Sequence, residues 1–133
     1  MEVKGKRVIV TGAAFGIGKA MTESFLESEA QVVIVDINEE ALKQTADDLN
    51  VEYITADVSS EDAIKDIIST SNSSMGGIDI FCSNAGVAGA GGLLSTTEED
   101  WLSIWAVNVM SHIYAAKHTL PQMLKQESGY FVN

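Results

Sequence analysis

The sequence holds one cysteine and one proline in 133 residues. A lone cysteine excludes an internal disulfide and a cysteine-built metal site, and no metal is expected. Cys82 sits in the apolar run Ile78-Asp79-Ile80-Phe81-Cys82, where core packing is the expected role and a reactive thiol the alternative. Cations are scarce too: eight Lys and Arg stand against 19 Asp and Glu, a net charge of −11. Such a chain is not built to neutralise nucleic-acid phosphates or to lie on an anionic membrane surface. A dinucleotide is still possible, because a helix N-terminus holds phosphate without a basic side chain. No apolar run approaches the ~20 residues of a membrane span. The opening Met1-Glu2-Val3-Lys4-Gly5-Lys6 has charge but no signal-peptide core. A cytoplasmic protein is the expectation. Repeats and Pro/Ser-rich linkers are absent as well, so residues 1–133 read as one domain.

What is present is an alternation of short β-rich runs and helical stretches, the pattern of a parallel α/β sheet. Arg7–Thr11 reads as a first strand, apolar enough to be covered on both faces. A glycine turn, Gly12 to Gly18, leads into a helix to about Ala30, with Ile17, Ala20, Met21 and Phe25 on one face. Gln31–Asp36 is the second strand. Asn38 is a candidate N-cap, with Glu39 and Glu40 suiting the positive end of a helix striped by Leu42, Thr45, Ala46 and Leu49. Val51–Ala56 is the third strand. Ser59 or Ser60 caps a third helix striped by Ile64, Ile67 and Ile68, and Ile78–Cys82 is the fourth strand. After a glycine-rich loop, Gly86 to Gly92, Thr97-x-x-Asp100 resembles a capping box with a carboxylate at N3. It opens a long helix to about Gln126 through Trp101, Ile104, Trp105 and Ala116, which Pro121 is expected to kink or divide. Gly129–Asn133 begins a fifth strand. Domains normally end in exposed polar linkers, so the sequence is expected to be cut from a longer one.

Thr11-Gly12-Ala13-Ala14-Phe15-Gly16-Ile17-Gly18 lies between a strand and a helix. Gly12 can turn the chain sharply. Gly16 lets the backbone approach a pyrophosphate, and Gly18 lets the helix pack near the strand. Unpaired N–H groups at the helix start then face the phosphates. An acid about 20 positions on, Asp36, can accept hydrogen bonds from adenosine ribose hydroxyls. It repels a 2′-phosphate, and no Lys or Arg at Ala13, Ala14, Phe15 or Ile37 offsets it, so NAD is favoured over NADP.

The spacing Thr-Gly-x-x-x-Gly-Ile-Gly resembles the short-chain dehydrogenase/reductase family. The likeness continues through Asp57-Val58, Asn84-Ala85-Gly86, Asn108 and Pro121, essentially the whole chain. It implies a Rossmann-type doubly wound parallel sheet, truncated after the start of the fifth strand. It also implies hydride transfer between nicotinamide and an alcohol/ketone substrate. The cofactor-binding positions are Gly12, Phe15, Gly16, Ile17, Gly18, Asp36, Ile37, Asp57, Val58, Asn84, Ala85 and Gly86. Asp57 would accept from the adenine amino group, and the Val58 backbone would meet the ring edge. The segment 84–86 would contact the nicotinamide-side ribose and hold the central strands. Ser83 stands where many relatives carry a second Asn. Asn108 is the one catalytic position, expected to help hold a water linked to the family's lysine.

The family's Ser and Tyr-x-x-x-Lys are not found. Tyr53 is followed four positions later by Asp57, and Tyr114 precedes Lys117 at the wrong spacing. His112 and His118 are read as packed or surface groups. The resemblance thus implies a full protein about twice as long, with these 133 residues inactive alone. Poor solubility is expected from an unpaired apolar fifth strand. Dimers or tetramers through the long helix are implied, with Trp101 and Tyr114 as candidates for that surface. The alternatives are a non-catalytic NAD-binding module and an S-adenosylmethionine-dependent methyltransferase. The latter does not explain Asn84-Ala85-Gly86 with Asn108.

Overall fold

The computed structural model describes residues 2–89 and 91–133. Ala90, in the glycine-rich loop, lies outside the described residues. Five strands, β1 (Arg7–Thr11), β2 (Gln31–Asp36), β3 (Glu52–Thr55), β4 (Ile80–Cys82) and β5 (Tyr130–Val132), form one sheet in the order β3-β2-β1-β4-β5. Every pairing is parallel. Parallel neighbours require a crossover, and here helices supply it: α1 (Gly16–Glu27), α2 (Glu39–Leu49), α3 (Glu61–Met75), α4 (Glu98–Trp105) and α5 (Ser111–Lys125). This is the Rossmann-type doubly wound arrangement, in which the strand order reverses between β1 and β4.

The apolar run of β1 is used on both faces. Val8 and Val10 enter one core with Leu42 and Ala46 of α2. Ile9 enters the other, with Ile64, Ile67 and Ile68 of α3 and Ala115 and Met123 of α5. Each buried aliphatic side chain stabilises the fold by roughly 1.5–3 kcal/mol of transfer free energy. At the opposite end from the glycine turn, Arg7 forks onto Asp79. Its Nε reaches Oδ2 and its Nη2 reaches Oδ1, both at 2.7 Å, and the Arg7 amide also donates to Oδ2 at 3.0 Å. That guanidinium holds the Asp79 carboxyl below its usual range. A side chain at Gly77 would collide with the Arg7 guanidinium.

The expected caps are present. Asn38 accepts the Ala41 N–H at 3.1 Å. Ser60, not Ser59, caps α3 by accepting from Ala63. Thr97 and Asp100 form a reciprocal capping box, and Thr97 holds the Asp100 carboxyl below its usual range. Strands β3 and β4 are shorter than expected, although Ile78 and Asp79 are buried before β4 begins.

Two expectations, the buried face of α1 and the break at Pro121, need correction. The buried face of α1 is Gly18 and Thr22, with Met21 and Phe25 half-buried; Ile17 and Ala20 are exposed, and Ile17 faces a cavity described below. No α4 residue is fully buried, and Trp101 and Trp105 are both about half exposed; the helix core lies later, on Ser111, Ala115, Thr119 and Met123. The long helix is interrupted at a π-helical turn, Ala106–Met110, where the Ser111 N–H donates to the Ala106 carbonyl. It is not divided at Pro121, because α5 continues to Lys125. Pro121 is on the exposed side, where water can take the bond that proline does not donate.

Candidate dinucleotide site

The glycine turn leaves β1 at the carboxyl edge of the sheet. Gly12 and Gly16 have φ of +65° and +55°, the left-handed region that side chains rarely adopt. A Cβ on Gly12 would come within 2.8 Å of the Ala85 Cα, so the turn packs directly on the chain after β4. A Cβ on Gly18 would collide with the Gly12 carbonyl oxygen. Gly16 differs: a Cβ there would meet nothing within 4 Å. The α1 N-cap, Phe15, gives no side-chain hydrogen bond, and the first turn holds no acid. The leading N–H groups therefore have no side-chain acceptor, and the positive end of the helix is not neutralised.

Thr11 joins the turn to β4. Its hydroxyl donates to the Cys82 carbonyl at 3.3 Å and accepts the Asn84 and Ala85 amides at 3.1 Å each. Asn84 Nδ2 in turn donates to the carbonyls of Thr11 at 3.0 Å and Gly12 at 3.2 Å. Asn84 thus holds the central strands together, as its segment was expected to do. The Thr11 junction was missed. Its one visible signal is a threonine closing the aliphatic run Val8-Ile9-Val10; in the fold Thr11 is buried. Ser83 is buried, and its amide donates to the Val132 carbonyl, tying β4 to β5. Cys82 is fully buried, and desolvation pushes its thiol up to about 12, so it packs and does not react.

Asp36 ends β2 with both oxygens engaged: Oδ2 accepts the Ala14 N–H and Oδ1 the Asn38 N–H, each at 3.0 Å. A carboxylate accepts about four hydrogen bonds, so both oxygens keep capacity. Asp57 is exposed, with Oδ1 accepting the Ser59 N–H at 2.9 Å, while Val58 is buried.

These groups surround a cavity of about 390 Å³. All the expected cofactor-binding residues line it except Gly16, whose neighbours Phe15 and Ile17 do. Ala56, Val87 and Val107 complete the wall. Val87 belongs to the glycine-rich loop Gly86 to Gly92. Ala56 and Val107 carry no signal in sequence, since an apolar residue at a cavity wall looks like any core residue. Leu93 and Leu94, which follow that loop in sequence, are exposed and do not line the cavity.

Asn108 stands behind Val87, within the π turn. Tyr114 is half-buried against the α3-side core, whereas Trp101 is exposed. His112 has a buried Nδ1 with no partner among the described residues. His118 Nε2 meets Glu61 Oε1 at 2.7 Å, and Lys117 Nζ donates to the same oxygen at 2.8 Å. Lys117 and His118 together bring the Glu61 carboxyl down to about 2. Neither histidine lines the cavity. Among the described residues no three His, Cys, Asp or Glu side chains gather as a metal site. No described helix is long and apolar enough to cross a membrane.

The model of the short chain dehydrogenase family matches residues 6–133. A CLA biosynthesis dehydrogenase/reductase of Lactiplantibacillus plantarum is 34% identical over 96% of this chain and 46% of its own length. The uncharacterized oxidoreductase YvrD of Bacillus subtilis is 34% identical over 100% of this chain and 52% of its own. The crystal structure of a short chain dehydrogenase/reductase from Burkholderia phymatum in complex with NAD superposes with a TM-score of 0.96 at 29% identity. That match covers 100% of this chain and 50% of the other. The chain spans about half the length of the curated relatives it matches.

Proposed function

The chain belongs to the short-chain dehydrogenase family, and on that premise we propose that it is the cofactor-binding half of an NAD-dependent oxidoreductase acting on an alcohol/ketone pair. One observation carries the reading. The start of α1, which no side chain caps, and the Asp36 carboxylate line one cavity, the helix start through Phe15, Ile17 and Gly18.

The residues fit a dinucleotide. A pyrophosphate suits free N–H groups beside a position with no side chain and no neighbour. Asp36 would take the adenosine ribose hydroxyls on its remaining lone pairs. Asp57 would accept the adenine amino group through its second oxygen, with Val58 and Ile37 flanking the ring. Asn84, Ala85 and Gly86 would meet the ribose on the nicotinamide side. Among the described residues no Lys or Arg lines the cavity to offset repulsion between Asp36 and a 2′-phosphate. That supports NAD over NADP.

When bound, the nicotinamide supplies the hydride acceptor or donor. This chain's own part is to bind, orient and exclude water. Phe15, Ile17, Ile37, Val87 and Val107 give the cavity an apolar wall. Asn108 is assigned a supporting place in the proton relay. Its side-chain oxygen and nitrogen each make one hydrogen bond to Val87. A relay water would meet the remaining capacity of that amide or the helix backbone, whose regular ladder the π turn breaks. The acid–base group is the family's tyrosine, tuned by a lysine, and residues 1–133 contain no Tyr-x-x-x-Lys. The exposed Trp101 and Trp105 suit a subunit interface in a homo-oligomer.

Purified residues 1–133, incubated with NADH and a panel of ketones, should show no loss of absorbance at the reduced nicotinamide band. A gene product extending through a Ser and a Tyr-x-x-x-Lys should turn over. Turnover by residues 1–133 would overturn the assignment of chemistry to the missing trio.

A further inference from the structure

Thr45 is a polar residue in the apolar stripe of α2, only 3% exposed and flanked by Leu42 and Ala46. A buried hydroxyl costs free energy unless it is hydrogen-bonded. This one donates to the Ala14 carbonyl at 2.8 Å, a contact between residues 31 positions apart. Ala14 is the middle of the glycine turn, and its own N–H donates to Asp36 Oδ2 at 3.0 Å. The other Asp36 oxygen accepts from Asn38, the N-cap of the same helix α2. Helix α2 therefore grips both partners of the adenosine end. Its N-cap holds the acid, and Thr45, two turns later, holds the turn that holds the acid.

We propose that Thr45 is a positioning residue for adenosine-ribose recognition, setting the aim of the Asp36 carboxylate through Ala14. This rests on the dinucleotide reading of the cavity. Without the hydroxyl, the Ala14 carbonyl loses its buried donor and the turn is free to shift against Asp36. The hydrogen bonds from Asp36 to the ribose hydroxyls then weaken, while phosphate contacts at the α1 N-terminus, reached through Gly16, persist.

The test is calorimetric titration of the full gene product with NAD and with its adenosine 2′-deoxy analogue. The readout is the ratio of the two affinities. A purely structural role for Thr45 lowers both alike and leaves the ratio unchanged. T45V should reduce the NAD preference about fivefold, the value of one hydrogen bond, and T45S should retain it. T45A, which removes the donor without placing a methyl against the carbonyl, gives the same readout if T45V does not fold. An unchanged ratio in T45V or T45A, in a parent that binds NAD, overturns the Thr45 proposal alone. A parent that binds neither compound overturns the dinucleotide reading and this inference with it.

Discussion

Asn108 holds Val87 by both ends of its amide: Oδ1 accepts the Val87 N–H and Nδ2 donates to the Val87 carbonyl, each at 2.8 Å. The side chain replaces a missing strand neighbour and pins the loop that walls the cavity. Asn108→Ala removes both hydrogen bonds to Val87, whose exposed groups turn to water. It should cost about 1 kcal/mol in urea unfolding and lower NADH affinity. Asn108→Asp keeps the acceptor and loses the donor, so it should recover only part of the stability.

Two glycines of the turn should fail differently. Gly18→Ala drives a methyl into the Gly12 carbonyl oxygen, between backbone segments that have no room to move. Loss of folding or a large drop in Tm is expected. Gly16→Ala meets open space and costs only its left-handed backbone, about 1–2 kcal/mol. Its methyl stands where phosphate is expected, so NADH binding should fall much further than stability. Tm and NADH titration on the two variants check the contrast.

The fold was legible because its signals are local. Apolar runs gave the strands, Asn38 and Thr97 gave helix starts, and the glycine turn gave the β1–α1 junction. The helix faces were read less well. Ile17 looks like core by periodicity, but it faces a cavity, and an empty wall and a packed one require the same apolar residue. Pro121 advertises a break where the helix continues, whereas the real interruption, at Ala106–Met110, has no compositional mark. It coincides with the contact between Asn108 and a loop 21 residues away in sequence. Thr11 and Thr45 were hidden for the same reason, since their hydroxyl partners are set by the tertiary fold.

Asp79 and Arg7 are largely shielded, with side-chain exposures of 11% and 24%. Removing one partner leaves the other charge poorly compensated. Asp79→Asn should therefore cost about 3 kcal/mol at neutral pH, measured by denaturant midpoint at constant m.

Stability should fall in acid. The carboxyls of Asp79 and Glu61 are held below their ordinary values of 3.8 and 4.5, Glu61 at about 2. A depressed folded-state value gives stability that is fully present above the ordinary value and is lost as pH falls through the folded one. For Glu61 that window runs from 4.5 down to about 2. Glu61→Gln should flatten this limb of an unfolding free energy–pH curve and leave the limb due to Asp79. An unchanged curve would show that the contacts to Lys117 and His118 add nothing.

The central claim is that the cavity between the glycine turn and Asp36 selects NAD. It is tested most directly by titrating the purified gene product in parallel with NADH, NADPH and S-adenosylmethionine. Saturable NADH binding, at least tenfold tighter than NADPH, with no uptake of S-adenosylmethionine, is the predicted result. Preference for NADPH would contradict the role given to Asp36. Binding of S-adenosylmethionine, or of none of the three, would contradict the dinucleotide site itself.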